Sequence, residues 1–150
     1  MKMEGNVSIM PIAQKDILQI YDAGRTEQYF CGFWEKDILK KLVDSTDSYV
    51  PVARYDGELA GFGIVSYNNT LSKGVIENLY VASPFRGKRI NNSCIAHILL
   101  QDILTNASHR NISRLDGLID STNKASINIA RKSGFETSQN QYSWVTRYLR

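Results

Sequence analysis

With 150 residues, 43% of them hydrophobic and 22% charged, the chain has the size of one domain and enough apolar content for a packed interior, which excludes a disordered chain. The net charge of +3 is unevenly spread: residues 1–75 carry 8 Lys+Arg against 10 Asp+Glu, and residues 76–150 carry 10 against 5. That mild basic bias suits a phosphorylated small ligand and falls short of the basic stripe of a nucleic-acid binder. Residues 1–10 lack the apolar run of a signal peptide and no later stretch is apolar enough to cross a bilayer, so the expectation is a single cytoplasmic domain over 1–150, with no nucleic-acid or membrane partner.

Residues 7–12 read as a first strand. Asp16, Ile17, Leu18, Ile20 and Tyr21 open a helical pattern that runs towards Phe30 until Gly32 interrupts it. A second helix is predicted over 34–43, with Ile38, Leu39, Leu42 and Val43 on one face. Tyr29, Phe30, Phe33 and Trp34 bracket the turn between the two, as packing at helical spacing or as the wall of a slot. Two Val- and aromatic-rich runs, 49–55 and 59–67, flank Asp56-Gly57, a two-residue hairpin signal, and 75–81 continues the meander until Pro84 ends it.

Ile90, Cys94 and Ile98 form one row and Ile95, Leu99, Ile103 and Ala107 the next, which predicts a central helix over 90–107. Residues 114–120 read as a strand, 123–133 as a helix with Gly134 as its left-handed C-cap, and 142–149 as a final strand. This order is that of a layered α+β domain. It includes a βαβ crossover over 76–120 that brings a helix N-terminus, a natural anion site, to the edge of the sheet. Cys31 and Cys94 lie in apolar helical patterns without CxxC spacing and read as reduced core thiols, while His97 and His109 lack the partners of a metal site or a triad.

The chemistry concentrates in Ile76-Glu77-Asn78-Leu79-Tyr80-Val81-Ala82-Ser83-Pro84-Phe85-Arg86-Gly87-Lys88-Arg89-Ile90-Asn91. Successive amides and a helix start point partial positive charge at one spot, and Arg86, Lys88 and Arg89 add full charges nearby, a combination that favours a diphosphate. The stretch resembles motif A of the GNAT superfamily, and Asn123-Lys124-Ala125-Ser126-Ile127-Asn128-Ile129-Ala130-Arg131-Lys132-Ser133-Gly134-Phe135 resembles its motif B at the family's spacing. With the hairpin and the helix pair also in family order, the resemblance covers nearly the whole chain. It implies a mixed, mostly antiparallel sheet of six to seven strands flanked by about four helices.

In function, the resemblance implies an N-acyltransferase that moves an acetyl or other short acyl group from acyl-CoA to a primary amine by direct attack on the thioester. Acetyl-CoA or another short acyl-CoA is then the co-substrate, with no metal. The implied cofactor contacts are Leu79, Tyr80, Val81, Arg86, Gly87, Lys88, Arg89, Ile90, Asn91, Asn123 and Ala130, with Tyr29, Phe30, Phe33 and Trp34 on the acceptor wall. A backbone N–H between Leu79 and Val81 would polarise the thioester carbonyl.

Three positions depart from the pattern. Arg89 and Asn91 stand where the family usually has glycine and a small residue, which adds bulk where phosphate approaches. Ala130 stands where many relatives carry a tyrosine that protonates the leaving thiolate; water, Ser126 or Tyr142 of the last strand would have to replace it. An amine with a pKa of about 10.4 must lose a proton before it attacks, and Glu77 is the candidate base, placed by alternation on the face of Leu79 and Val81. The acceptor, a small-molecule amine or a protein or peptide amine, stays open, as does a homodimer through the final strand. The competing class is a catalytically weak or inactive GNAT-like module that binds acyl-CoA or a protein partner.

Overall fold

At Asp56-Gly57 both residues take positive φ, 47° and 86°, the conformation that lets a two-residue turn follow the twist of its strands. The structure, a computed structural model, describes residues 2–26, 35–138 and 142–149. In chain order its strands are β1 (Lys2–Met3), β2 (Val7–Pro11), β3 (Ser48–Tyr49), β4 (Pro51–Tyr55), β5 (Glu58–Asn68), β6 (Lys73–Val81), β7 (Arg89–Ile90), β8 (Arg114–Asp120), β9 (Glu136–Thr137) and β10 (Tyr142–Tyr148). The helices are α1 (Ile17–Thr26), α2 (Lys36–Val43), α3 (Ile95–His109) and α4 (Lys124–Lys132).

The main sheet runs β2-β4-β5-β6-β8-β10-β9, with β3 also paired to β5, and it is antiparallel except for the parallel pair β6–β8. This is the layered α+β domain that the element order implies, with the mixed, mostly antiparallel sheet that the resemblance implies. The run expected as one strand over 49–55 is split in two. Pro51 has no N–H to give to the ladder, so pairing with β5 lapses there, although Ser48–Tyr49 and Val52–Ala53 share one register against β5 before it shifts at Arg54.

Apolar periodicity decides the layers. Ile12, Ile17, Ile20 and Leu39 pack against Val50, Val52, Phe62 and Ile64, so α1 and α2 cover one face of β4 and β5. On the other face Ile95 and Leu99 of α3 meet Ala53 and Ala60, while Leu100, Ile103 and Ala130 meet Val65, Leu115 and Val145. Two glycines set how closely α3 approaches. A Cβ on Gly61 would lie 2.4 Å from the Tyr80 carbonyl oxygen and 3.0 Å from Ile95 Cγ2, and one on Gly63 would lie 2.9 Å from Ile103 Cδ1. The first obstacle is backbone and cannot swing aside. Gly61→Ala is therefore expected to lower stability by about 1–3 kcal/mol in urea unfolding, and Gly63→Ala by less, because Ile103 can rotate.

The far end of α3 is tied to the sheet by polar groups. Tyr49 donates its hydroxyl proton to the Asp102 carboxylate, and Tyr67 donates to Asn106 Oδ1 at 2.9 Å. The Arg110 guanidinium lies 4.6 Å from the Tyr67 ring centroid and donates to the Thr46 carbonyl at 2.7 Å. Burial pushes the Tyr67 hydroxyl up to about 12, with the Arg110 charge opposing and the Asp102 charge adding; burial and the bond to Asp102 also raise Tyr49. A raised folded-state pKa means that the native form holds the proton more tightly than the unfolded chain, whose tyrosines titrate near 10. This stabilisation is present below pH 10 and is lost as pH rises towards about 12. Tyr67→Phe should flatten that alkaline loss in denaturant melts taken across the window.

Candidate functional site

The parallel pairing of β6 with β8 runs from Lys73↔Arg114 to Ile76↔Gly117 and stops, although β6 continues to Val81 and β8 to Asp120. Beyond that point the two strands part and leave a cleft in the middle of the sheet. Beneath it the junction is locked by Asp116, 0% exposed, which accepts from Arg114 Nε at 2.8 Å and faces Lys73 Nζ at 2.9 Å. The bond to Asp116 holds the Arg114 guanidinium charged, as a buried carboxylate requires of its partners.

The β5–β6 ladder jumps at the same level. Val65↔Ile76 is followed by Ile64↔Asn78, so Glu77 is the extra residue of a β-bulge. Simple alternation places Glu77 with Leu79 and Val81, and the bulge overturns that expectation. Leu79 and Val81 pack into the α3 side of the core. Glu77 is exposed and accepts a hydrogen bond from Ser66 Oγ at 2.7 Å. Ser66 sits between Val65 and Tyr67, which face α3, so its side chain and the carboxylate it holds lie on the opposite face. Glu77 thus stands at the mouth of the cleft rather than enclosed between layers.

The same bulge fixes which backbone groups meet the cleft. Ala82 donates its N–H to the Ala60 carbonyl at 2.8 Å, which makes these opposed residues a hydrogen-bonded pair. Alternation then turns the N–H and C=O of Val81 and Leu79 away from β5, onto the open edge. Arg86 reports the same geometry, since its Nε donates to the Val81 carbonyl at 2.8 Å while the guanidinium lies 5.6 Å from the Tyr80 ring centroid.

After β6 the chain makes a short 3-10 turn, Ser83–Phe85, and then Gly87 takes φ 67°. The Arg86 and Lys88 amides donate back to Ser83 and Phe85, both at 3.3 Å. Ile90 and Ser93 exchange hydrogen bonds of 2.6 and 3.0 Å around Asn91 and Asn92, whose φ angles are 51° and 66°. This is a type I′ turn. Consequently the central helix does not begin at 90 as its periodicity predicts. It begins at Ile95, and Cys94 is its N-cap, half-buried, rather than a core residue within the helix.

The departures from the glycine pattern find their local explanation here. Asparagine tolerates the left-handed conformation, so position 91 needs no glycine. Its Nδ2 donates to the Gly5 carbonyl at 3.4 Å. Arg89 is exposed and donates to the Asn92 carbonyl at 3.3 Å, so its bulk lies along the turn. Asn91→Val should cost about 1–2 kcal/mol in chemical denaturation, because a β-branched residue resists positive φ, whereas Asn91→Gly should leave stability close to that of the parent.

Two residues assigned to the cofactor by resemblance have structural roles. Asn123 caps α4, its Oδ1 accepting from the Ser126 N–H at 3.3 Å. Ala130 is 5% exposed and packed with Leu100, Ile103 and Phe135, so its methyl is part of the core. The Phe135 N–H donates to the Ala130 carbonyl at 3.0 Å around Gly134, whose φ of 86° makes it the left-handed C-cap that the sequence predicts. Tyr142 pairs with Asp120, the last residue of β8, which puts its backbone at the level where the cleft is open. Tyr29, Phe30, Phe33 and Trp34 lie outside the described residues. Among the described residues, no three His, Cys, Asp or Glu side chains are grouped as metal ligands, and no helix is long and apolar enough to cross a membrane.

A layered sheet split between its central parallel strands, with a cationic loop at the open end, defines an acetyltransferase-type α+β fold. The model of the acetyltransferase (GNAT) family matches residues 15–135, and the chain belongs to that family. By sequence, none of the curated proteins matches it. Among solved structures it is similar to ribosomal-protein-alanine N-acetyltransferase from Brucella melitensis, with TM-score 0.76 and 20% identity over 95% of this chain and 99% of that one. It is similar to PaiA N-acetyltransferase from Thermoplasma acidophilum in complex with coenzyme A, with TM-score 0.79 and 16% identity over 96% and 99% of the two chains. The yncA structure from Salmonella typhimurium with its cofactor acetyl-CoA gives TM-score 0.79 and 15% identity over 97% and 95%. At these identities the likeness carries the fold alone.

Proposed function

We propose that the chain is an N-acyltransferase that binds acetyl-CoA or another short acyl-CoA along the open edge of β6 and passes the acyl group to a primary amine. The observation that carries this reading is the coincidence of the Glu77 bulge with the end of β6–β8 pairing. One irregularity turns a carboxylate outward on one face and turns the N–H groups of Leu79 and Val81 onto the neighbouring edge, away from β5.

The residues present fit the cofactor. Lys88, Arg89 and the left-handed Gly87 lie just past the end of β6, where a diphosphate would sit. A thioester carbonyl lying along β6 would meet a backbone N–H already fixed in place, and one such donor is worth about 3 kcal/mol in the transition state. Glu77 takes the proton from the incoming ammonium, and its bond from Ser66 orients the carboxylate towards the cleft mouth. The leaving thiolate has an intrinsic pKa of about 8.5, so water, Ser126 or Tyr142 suffices as the acid in place of the tyrosine that Ala130 replaces. The acceptor is a small-molecule amine or an amine of a protein or peptide, and the reaction takes place in the cytoplasm.

A second reading rests on Ala130 and Arg86. With a buried methyl at the position of the family's acid, and Arg86 already bonded to the Val81 carbonyl, the fold would also serve as an acyl-CoA-binding module without turnover. Thiol release from acetyl-CoA over a panel of amines and peptides separates the two readings: turnover supports the enzyme, and binding without turnover supports the module. In the enzyme, Glu77→Gln should lower kcat/KM by about a hundredfold while leaving the affinity for coenzyme A unchanged. An unaltered rate would remove Glu77 from the mechanism.

A further inference from the structure

The loop beyond β6 is held by a segment that lies far from it in sequence. β1 pairs in parallel with β7, Lys2 opposite Arg89 and Met3 opposite Ile90, in a small sheet separate from the main one. The next residues are tied down in turn. The Glu4 carbonyl accepts from the Tyr55 hydroxyl, the Gly5 carbonyl accepts from Asn91 Nδ2, and Asn6 and Asp56 bond through the Asp56 N–H and the Asp56 carboxylate. Tyr55 leans on Phe85, ring centroids 5.5 Å apart, and Phe85 is buried immediately before Arg86. A Cβ on Gly5 would lie 2.3 Å from the Tyr55 hydroxyl oxygen, so the segment passes directly over that ring.

We propose that residues 2–6 form a strap that positions the diphosphate-binding loop, so that the acyl-CoA site of this chain is built from two separated segments, 2–6 and 86–93. The strap explains the two features that set this loop apart. Drawing Arg89 and Ile90 into a strand stops them from forming the first turn of α3, and the I′ turn at Asn91-Asn92 brings the chain back to start the helix at Ile95. A loop that runs straight into a helix is held by the helix's own hydrogen bonds. Here that support is missing, and the parallel pair with β1 together with the bond from Asn91 to Gly5 supplies it. Residues 2–6 act through Arg89, Ile90 and Asn91 and need not touch the ligand.

The inference rests on the acyl-CoA reading above, and the test keeps the two apart. Hydrogen exchange of the full chain is followed with and without coenzyme A, beside calorimetric titration of the parent, of a chain lacking residues 1–5, and of Gly5→Val. The strap predicts that coenzyme A slows exchange in 2–6 and in 86–93 together. It also predicts that both variants bind coenzyme A about tenfold or more weakly, since two or more hydrogen bonds to the loop are lost, while KM for the amine stays near that of the parent. Protection of 86–93 with no change in 2–6, or parent-like affinity in both variants, would overturn it. Should the variants unfold, the exchange pattern of the parent still decides. A parent chain that binds no coenzyme A refutes the acyl-CoA reading itself, and the strap as a part of that site falls with it.

Discussion

The site depends on where one pair of strands stops bonding. β6 and β8 are held together below Ile76 and Gly117 by a parallel ladder and by the buried Asp116 with its two cations, and above that level the ladder stops. A parallel pair in the middle of a largely antiparallel sheet arises because α3 carries the chain across the sheet from β6 to β8. The bulge at Glu77 then bends β6 at the level where the ladder ends. Peptide groups turned away from a ladder inside a protein need another partner, as the Val81 carbonyl has in Arg86, so an edge of this kind is a place where water or a ligand can be met.

Much of the architecture is written in the sequence at the level of periodicity. The hairpin at Asp56-Gly57, the meander that follows it, the strand from Arg114 and the Gly134 cap each rest on local chemistry, either a left-handed turn residue or an alternation of apolar side chains. The site is less legible because it is made by breaks in those periods. Glu77 cannot be assigned to a face by counting along β6, since the extra residue at the bulge shows itself only against the register of β5. Gly61 and Gly63 carry no motif, yet they set how deeply α3 sits, and only the side chains of Ile95, Leu99 and Ile103 packed over them reveal why.

The loop after β6 shows the same limit from another side. Ile90, Cys94 and Ile98 lie on one helical row, and that row gives no sign that Ile90 belongs to a strand. The cause is a contact with residues near the start of the chain, about which local propensity says nothing. The paired asparagines at 91 and 92 are the one local signal, since two consecutive residues that tolerate positive φ suit a two-residue turn better than a helix. Ala130 differs again. Its place in the helical period is read correctly, but whether the methyl faces cleft or core depends on how α4 packs against Leu100, Ile103 and Phe135.

The central claim is that the acyl-CoA arm lies against the edge of β6 exposed by the split. Amide-resolved NMR on addition of acetyl-CoA tests it most directly. The largest changes should fall on the N–H groups of Leu79 and Val81, with smaller ones from 86 to 93, while the Tyr80 N–H, turned towards β5, stays near its free position. Saturating acetyl-CoA that leaves Leu79 and Val81 unmoved, whether or not other residues respond, would contradict the account.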